Sequence, residues 1–145
     1  MPRGRHCRKH GSDEKACTCE MGNLYRFAEP IVLLAIANIS EAYGYSIAKE
    51  AEKYAVTHSG LDTGVVYRTL KCLENTGRIA STWDSSGGGP ARRLYRLTDS
   101  GWKHIAEWSE VMGDLLRSLA ALKKACDNVS VSHRQFLKQQ VPPGK

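Results

Sequence analysis

The sequence predicts a mainly α chain with a small β-hairpin: a winged helix-turn-helix domain followed by a long C-terminal helix. Three observations carry that prediction. First, a capped amphipathic segment from Leu61 to Thr76 gives way after Gly77 to residues that alternate on either side of the tip Ser85-Ser86-Gly87-Gly88-Gly89-Pro90, so the hydrophobic period changes from helical to two. Second, another helical segment precedes this unit and is joined to it by the short turn His58-Ser59-Gly60. Third, apolar residues beyond the hairpin recur at alternating steps of three and four from Ile105 to Cys126, the pattern of a helix that buries a long seam.

At 145 residues the chain has room for one domain plus extensions, and its formal net charge of +6 favours an anionic partner such as nucleic acid. The longest apolar run, Ile31 to Ala37, is far shorter than the roughly 20 residues a membrane span needs, and the N-terminus has no apolar signal core. A cytoplasmic protein is expected, with no membrane partner. Five cysteines, an odd number without a secretion signal, argue against a disulfide framework and leave free thiols, metal ligation or redox chemistry.

Residues 1–22 form a basic arm with Arg3, Arg5, Arg8 and Lys9 and almost no aliphatic side chains, too little apolar surface to fold alone. The arm also concentrates His6, Cys7, His10, Cys17 and Cys19. Cys7, His10, Cys17 and Cys19 could supply four tetrahedral ligands to zinc, and metal binding would provide the folding energy the arm lacks. A single residue between Cys17 and Cys19 departs from the usual knuckle spacing. An iron–sulfur cluster, a dithiol switch or an unstructured basic arm stand as alternatives.

The helix-turn-helix and wing occupy residues 23–98. Glu29-Pro30 suits a first turn, where an amide would be unpaired in any case, and Ile31 to Ile36 is apolar on all sides, so that helix should be buried. A second helix should start at Ser40 or Tyr43, with Ile47, Ala48, Ala51 and Tyr54 inward and Lys49, Glu50, Glu52 and Lys53 outward. In the third, Asp62 can accept bonds from first-turn amides, Leu61 can pack on Val66, and Gly77 sits where a left-handed residue would close the helix. Val66, Leu70 and Leu73 share one face; Thr63, Gly64, Tyr67, Arg68 and Lys71 share the other, which is polar and basic as a helix entering a major groove requires. Ile79 to Trp83 and Leu94 to Leu97 make the two strands, and Arg92 and Arg93 flank the glycine-rich tip within reach of a phosphate backbone.

Thr98-Asp99-Ser100-Gly101 reads as the cap of a helix over residues 99–127. Ile105, Trp108, Met112, Leu115, Leu119 and Leu122 form its seam, too long for one small core to cover, so a second copy is the expected partner and packing on the chain's own first helix the alternative. Residues 128–145 are polar and end in Val141-Pro142-Pro143-Gly144-Lys145, which suggests a tail holding at most a short amphipathic piece from Ser132 to Gln139.

Tyr43-Gly44-Tyr45-Ser46-Ile47, Gly64-Val65-Val66-Tyr67-Arg68-Thr69-Leu70 with Leu73-Glu74-Asn75-Thr76-Gly77, and Arg92-Arg93-Leu94-Tyr95-Arg96-Leu97-Thr98 with Gly101 together resemble the PadR-like transcriptional regulators. The likeness covers roughly residues 24–125. Tyr25 to Pro30 and Trp83 to Gly87 are similar to the subgroup labelled polyhydroxybutyrate-responsive repressors. The resemblance implies a homodimeric winged-helix repressor, with Tyr67 and neighbouring third-helix residues at DNA and the last long helix at the dimer interface. The cysteine-rich arm lies outside the family pattern.

The candidate contacts to double-stranded DNA are therefore Tyr45, Ser46, Lys49, Thr63, Gly64, Tyr67, Arg68, Lys71, Arg92 and Arg93, on an inverted-repeat operator, with release by an unidentified small effector or a metal or redox signal. Trp83 reads as a packing residue of wing or core, Trp102 and Trp108 as packed or as lining a ligand pocket between protomers, and Cys72 and Cys126 as buried thiols in helix stripes. His104 and His133 have no ligand partner nearby in sequence. An enzyme is disfavoured: the glycine-rich tip lacks a following Gly-Lys-Ser/Thr, and there is no nucleophile elbow, zinc-protease helix or acidic pair. A winged helix used only for protein contact is the remaining rival, and the basic outer face of the third helix counts against it.

Overall fold

The computed structural model describes residues 27–56 and 60–140. These fall into two units, one ending at Ala106 and the other beginning at Glu107. In the first, helix α1 (Ala28–Asn38) buries Ala28, Ile31, Val32, Leu33, Ala35 and Ile36, as a segment apolar on every side must. Its C-terminal end is tied down by Asn38, whose Nδ2 donates to the Leu34 carbonyl at 3.0 Å and to the Tyr54 hydroxyl at 2.9 Å.

Helix α2 (Gly44–Ala51) starts at the later of the two expected positions and turns Ile47 and Ala51 into the core. A 3-10 turn over Glu52–Tyr54 follows. Glu50, expected to face outward, is half-buried because it accepts from the Tyr54 hydroxyl at 3.4 Å and pairs with Lys53 at 2.7 Å.

Helix α3 (Thr63–Asn75) opens as expected: Asp62 Oδ1 accepts from the Gly64 amide at 2.7 Å. Val65, Val66, Thr69, Leu70 and Leu73 are buried. Gly77 ends the helix at φ +74, a conformation that would strain a side-chain-bearing residue, and the Arg78 amide returns to the Leu73 carbonyl at 2.9 Å. Cys72, expected to be buried, is exposed. It falls just outside the buried stripe and lines a groove of about 240 Å³ with Ala28, Glu29, Val65, Arg68 and Thr69.

The wing is an antiparallel pair, β1 (Ile79–Asp84) and β2 (Arg92–Leu97), registered from Ile79 opposite Leu97 to Asp84 opposite Arg92. Ile79 and Tyr95 anchor it in the core, while Trp83 near the tip is 69% exposed. A second, short pairing lies on the other side of β2: Tyr43 bridges Leu94, and the Tyr95 amide donates to the Ala42 carbonyl at 2.9 Å. The segment entering α2 is thereby fastened to the wing.

Thr98 caps the last helix, α4 (Asp99–Gln140): its hydroxyl accepts from the Gly101 amide at 3.2 Å and donates to the carbonyls of Gly77 and Arg78. Gly101 is buried where a β-carbon would overlap the Arg78 carbonyl oxygen, which fixes the crossing. His104 Nε2 lies 3.1 Å from Glu29 Oε2 and so links α4 to α1 across 75 positions, a partner that sequence proximity concealed. The helix does not stop near Asp127 but continues to Gln140, through residues expected to form a polar tail. Polarity alone does not end a helix. No glycine or proline occurs between Asp114 and Gln140, and Lys123 pairs with Asp127 at 2.6 Å one turn on. Cys126, in the second unit, is exposed rather than buried.

Candidate nucleic-acid interface

Packing Val66, Leu70 and Leu73 inward turns the opposite face of α3 to solvent, where Thr63, Tyr67, Arg68 and Lys71 are exposed and Gly64 is half-exposed. An Arg68 Nη lies 3.4 Å from the position a Gly64 β-carbon would occupy, so the guanidinium lies back along the helix toward its N-terminus. Tyr67 is 48% exposed yet ordered by a close approach: a β-carbon on Gly44 would stand 2.6 Å from its ring and 2.8 Å from its hydroxyl. Gly44 thus permits α2 and Tyr67 to meet. Tyr45 and Lys49 are exposed beside them, and Ser46 is half-exposed.

These residues border a cleft of about 330 Å³ whose far wall is the wing: Tyr43, Gly44, Tyr45 and Ser46 on one side, Tyr67 between, and Arg92, Arg93 and Tyr95 on the other. The cleft brings together five of the ten residues expected at DNA. Thr63, Gly64, Arg68 and Lys71 continue the same surface along α3, and Lys49 extends it along α2.

The two wing arginines have different surroundings. Arg93 Nη2 donates to both carboxylate oxygens of Glu74 and to Ser81 Oγ, each at 2.9 Å, and its guanidinium also lies 5.7 Å from the ring centres of Trp83 and Tyr95. Ser81 in turn donates to Glu74. Arg93 therefore fastens the wing to α3. Arg92 lies 5.5 Å from the Tyr43 ring and forms no salt bridge among the described residues.

The wing tip is held from the same side. Tyr43 donates its hydroxyl proton to Asp84 Oδ2 at 2.6 Å, and the Ser86 amide donates to Asp84 Oδ1 at 2.9 Å. The tyrosine hydrogen bond and then the Ser86 bonds hold the Asp84 carboxyl down at about 2, below its ordinary range. The same bond to Asp84 raises the Tyr43 hydroxyl. Tyr43, Glu74, Asp84 and Tyr95 were not among the expected site residues. Asp84-Ser85-Ser86 carried a local signal, since an aspartate before a turn readily accepts the amide two residues on.

Along α4, Ile105, Trp108 and Met112 are half-exposed, and Leu115, Leu119 and Leu122 are 36%, 51% and 60% exposed. Cys7, His10, Cys17 and Cys19 lie outside the described residues. Among the described residues, no cluster of three or more histidine, cysteine, aspartate or glutamate side chains could hold a metal. No helix there is long and apolar enough to cross a membrane.

Three helices with the third one's polar face free, followed by a hairpin pinned to the second and third, define a winged helix-turn-helix DNA-binding domain. The chain belongs to the transcriptional regulator PadR-like family, whose pattern matches residues 32–107. It is similar to the crystal structure of a PadR-like transcriptional regulator from Bacillus cereus, with 26% identity and a TM-score of 0.56 over 68% of this chain and 93% of that one. A PadR family transcriptional regulator from Eggerthella lenta is 27% identical, with a TM-score of 0.54 over 68% of this chain and 84% of its own. "Probable transcriptional regulator Rv1176c" of Mycobacterium tuberculosis is 29% identical over 70 residues, which are 45% of this chain and 34% of that protein. The chain thus matches about a third of that curated relative's length.

Proposed function

We propose that the protein acts as a homodimeric transcriptional repressor that places α3 of each copy in successive major grooves of an inverted-repeat operator, with Arg92 of the wing on the flanking backbone. The observation that carries this reading is the exposed basic face of α3 beside an exposed wing arginine that forms no salt bridge among the described residues. A helix-turn-helix needs that combination: phosphate contacts fix the register, and side chains on α3 read base edges. Arg68 and Lys71 are suited to guanine edges or phosphates, and Tyr67 to a phosphate oxygen. The exposed seam of α4 supplies a surface for the second copy. Release by a small effector, or by zinc, iron–sulfur or thiol chemistry at Cys7, His10, Cys17 and Cys19, completes the proposal.

In vitro selection from random duplex DNA tests the reading. An inverted repeat is expected, with half-site centres about one helical turn apart. Affinity for it is expected to fall on the order of 100-fold or more between 50 and 200 mM salt, as several phosphates are neutralised. No enriched sequence, or salt-independent binding, would refute it.

A further inference from the structure

The cleft between α2, Tyr67 and the wing is more specific than a basic surface. Its Tyr67 wall exists only because residue 44 is glycine: any side chain there would collide with the ring, 2.6 Å from Cε1 and 2.8 Å from the hydroxyl. Tyr67 therefore lies against the start of α2 at Gly44 and lines the cleft together with Tyr45 and Ser46. On the opposite wall Glu74 occupies Arg93, whereas Arg92 rests over the Tyr43 ring and forms no salt bridge among the described residues, although its cross-strand neighbour Asp84 feels its charge. Tyr43 is itself fixed by its bond to Asp84, which also accepts from the wing tip at Ser86. Two cations, of which Arg93 is paired with Glu74, and several hydroxyl groups thus border a cleft that holds no carboxylate among its lining residues.

We infer that this cleft seats a single backbone phosphate of duplex DNA, with Arg92 as its charge partner and the Tyr67 hydroxyl as a second donor, and that Arg93 is a positioning residue for the wing. The inference rests on the DNA-binding reading above and deepens it. Two donors that share one phosphate read no base. Their loss should weaken all sequences alike, whereas loss of a residue contacting base edges should relax preference at one position.

Binding to the selected operator is measured for wild type, Arg92→Gln, Tyr67→Phe and Arg93→Gln, with thermal melts of each. The operators carry a neutral methylphosphonate at one backbone position at a time. Among the positions at which neutralisation weakens wild-type binding, one symmetry-related position per half-site is expected to be the one that Arg92 serves, with a loss of about tenfold or more for a charge-assisted contact. Arg92→Gln should bind natural DNA correspondingly more weakly, show a salt slope lower by about 0.9 per seated phosphate, and pay no further penalty at that position. Tyr67→Phe should pay a reduced penalty there with an unchanged slope, because a hydroxyl displaces no counterion. Arg93→Gln should keep the penalty and melt earlier. An Arg92→Gln variant that melts like wild type yet retains the full penalty at every position overturns the inference, as does one that loses preference for a particular base pair. If the wild type selects and binds no duplex, the functional reading itself fails, an outcome distinct from either.

Discussion

Asp84 is the residue whose ionisation the fold alters most clearly, since Tyr43 and Ser86 both donate to it and hold its carboxyl at about 2 against an ordinary 3.8. A carboxyl depressed on folding contributes stability that is complete above its unfolded value and disappears as pH falls through its folded one. The difference in denaturation midpoint between wild type and Asp84→Asn should therefore be constant above about pH 5 and lose the carboxylate's contribution as pH falls through about 2. An unchanged difference across that interval would mean that the Tyr43–Asp84 bond does not persist in solution. Gly101 gives a second test at this scale. Gly101→Ala would thrust a methyl group into the Arg78 carbonyl oxygen, and a loss of about 1 to 3 kcal/mol is expected in chemical denaturation, although alanine is the better helix former. Residues whose partners are close in sequence were legible in advance: the Asp62 cap, the Gly77 terminator and the Thr98 cap each act within one turn. Glu74 with Arg93, Glu29 with His104, and Tyr43 with Asp84 were not, because nothing in a linear pattern pairs side chains that meet only after the chain has folded.

At the scale of elements, α3 separates stability from recognition on opposite faces of one helix. Leu70 is fully buried, and Leu70→Ala should cost about 2 to 5 kcal/mol through the cavity left behind. Lys71 next to it is exposed, so Lys71→Ala should leave the melting temperature nearly unchanged while weakening DNA binding. Equal melting of the two variants would mean the helix is rotated about its axis from the orientation described. Period identified these elements because each has one face in the core and one in water, and the hairpin was legible through the change of period after Gly77. The pairing of Tyr43 with Leu94 was not, since a one-residue bridge has no period to detect. Helix α4 ran past its expected end for a related reason: residues 128–140 carry a sparser apolar stripe than those before them but lack any residue that would stop a helix.

At the scale of the whole molecule, the apolar face of α4 calls for a covering partner. The steps of three and four that begin at Ile105 do not stop at Cys126; they continue through Val129, His133 and Phe136 to Gln140. The positions flanking this seam are mostly small or apolar, among them Val111, Leu116, Ser118, Ala125, Ser130 and Leu137, with Lys123 as the charged exception. Asp114, Arg117, Lys124, Asp127, Arg134 and Lys138 all fall on the far side of the helix. Charge excluded from so wide a face is expected where the face is buried by another helix, and Leu119, Leu122, Val129 and Phe136 are each about half exposed or more within this chain. If a second copy covers it, Leu115→Asp or Leu119→Asp would place an unpaired carboxylate between apolar surfaces, which association could not readily offset. Light scattering should then report monomers. Operator affinity should fall on the order of 100-fold or more, because a monomer engages one half-site and loses the gain from linking two. Val129→Asp separates the ends of the seam: comparable dissociation would extend the interface into residues 128–140, and an intact dimer would confine it to the part of α4 before them. Dimers that survive substitution at both Leu115 and Leu119 would assign the face to some partner other than a second copy.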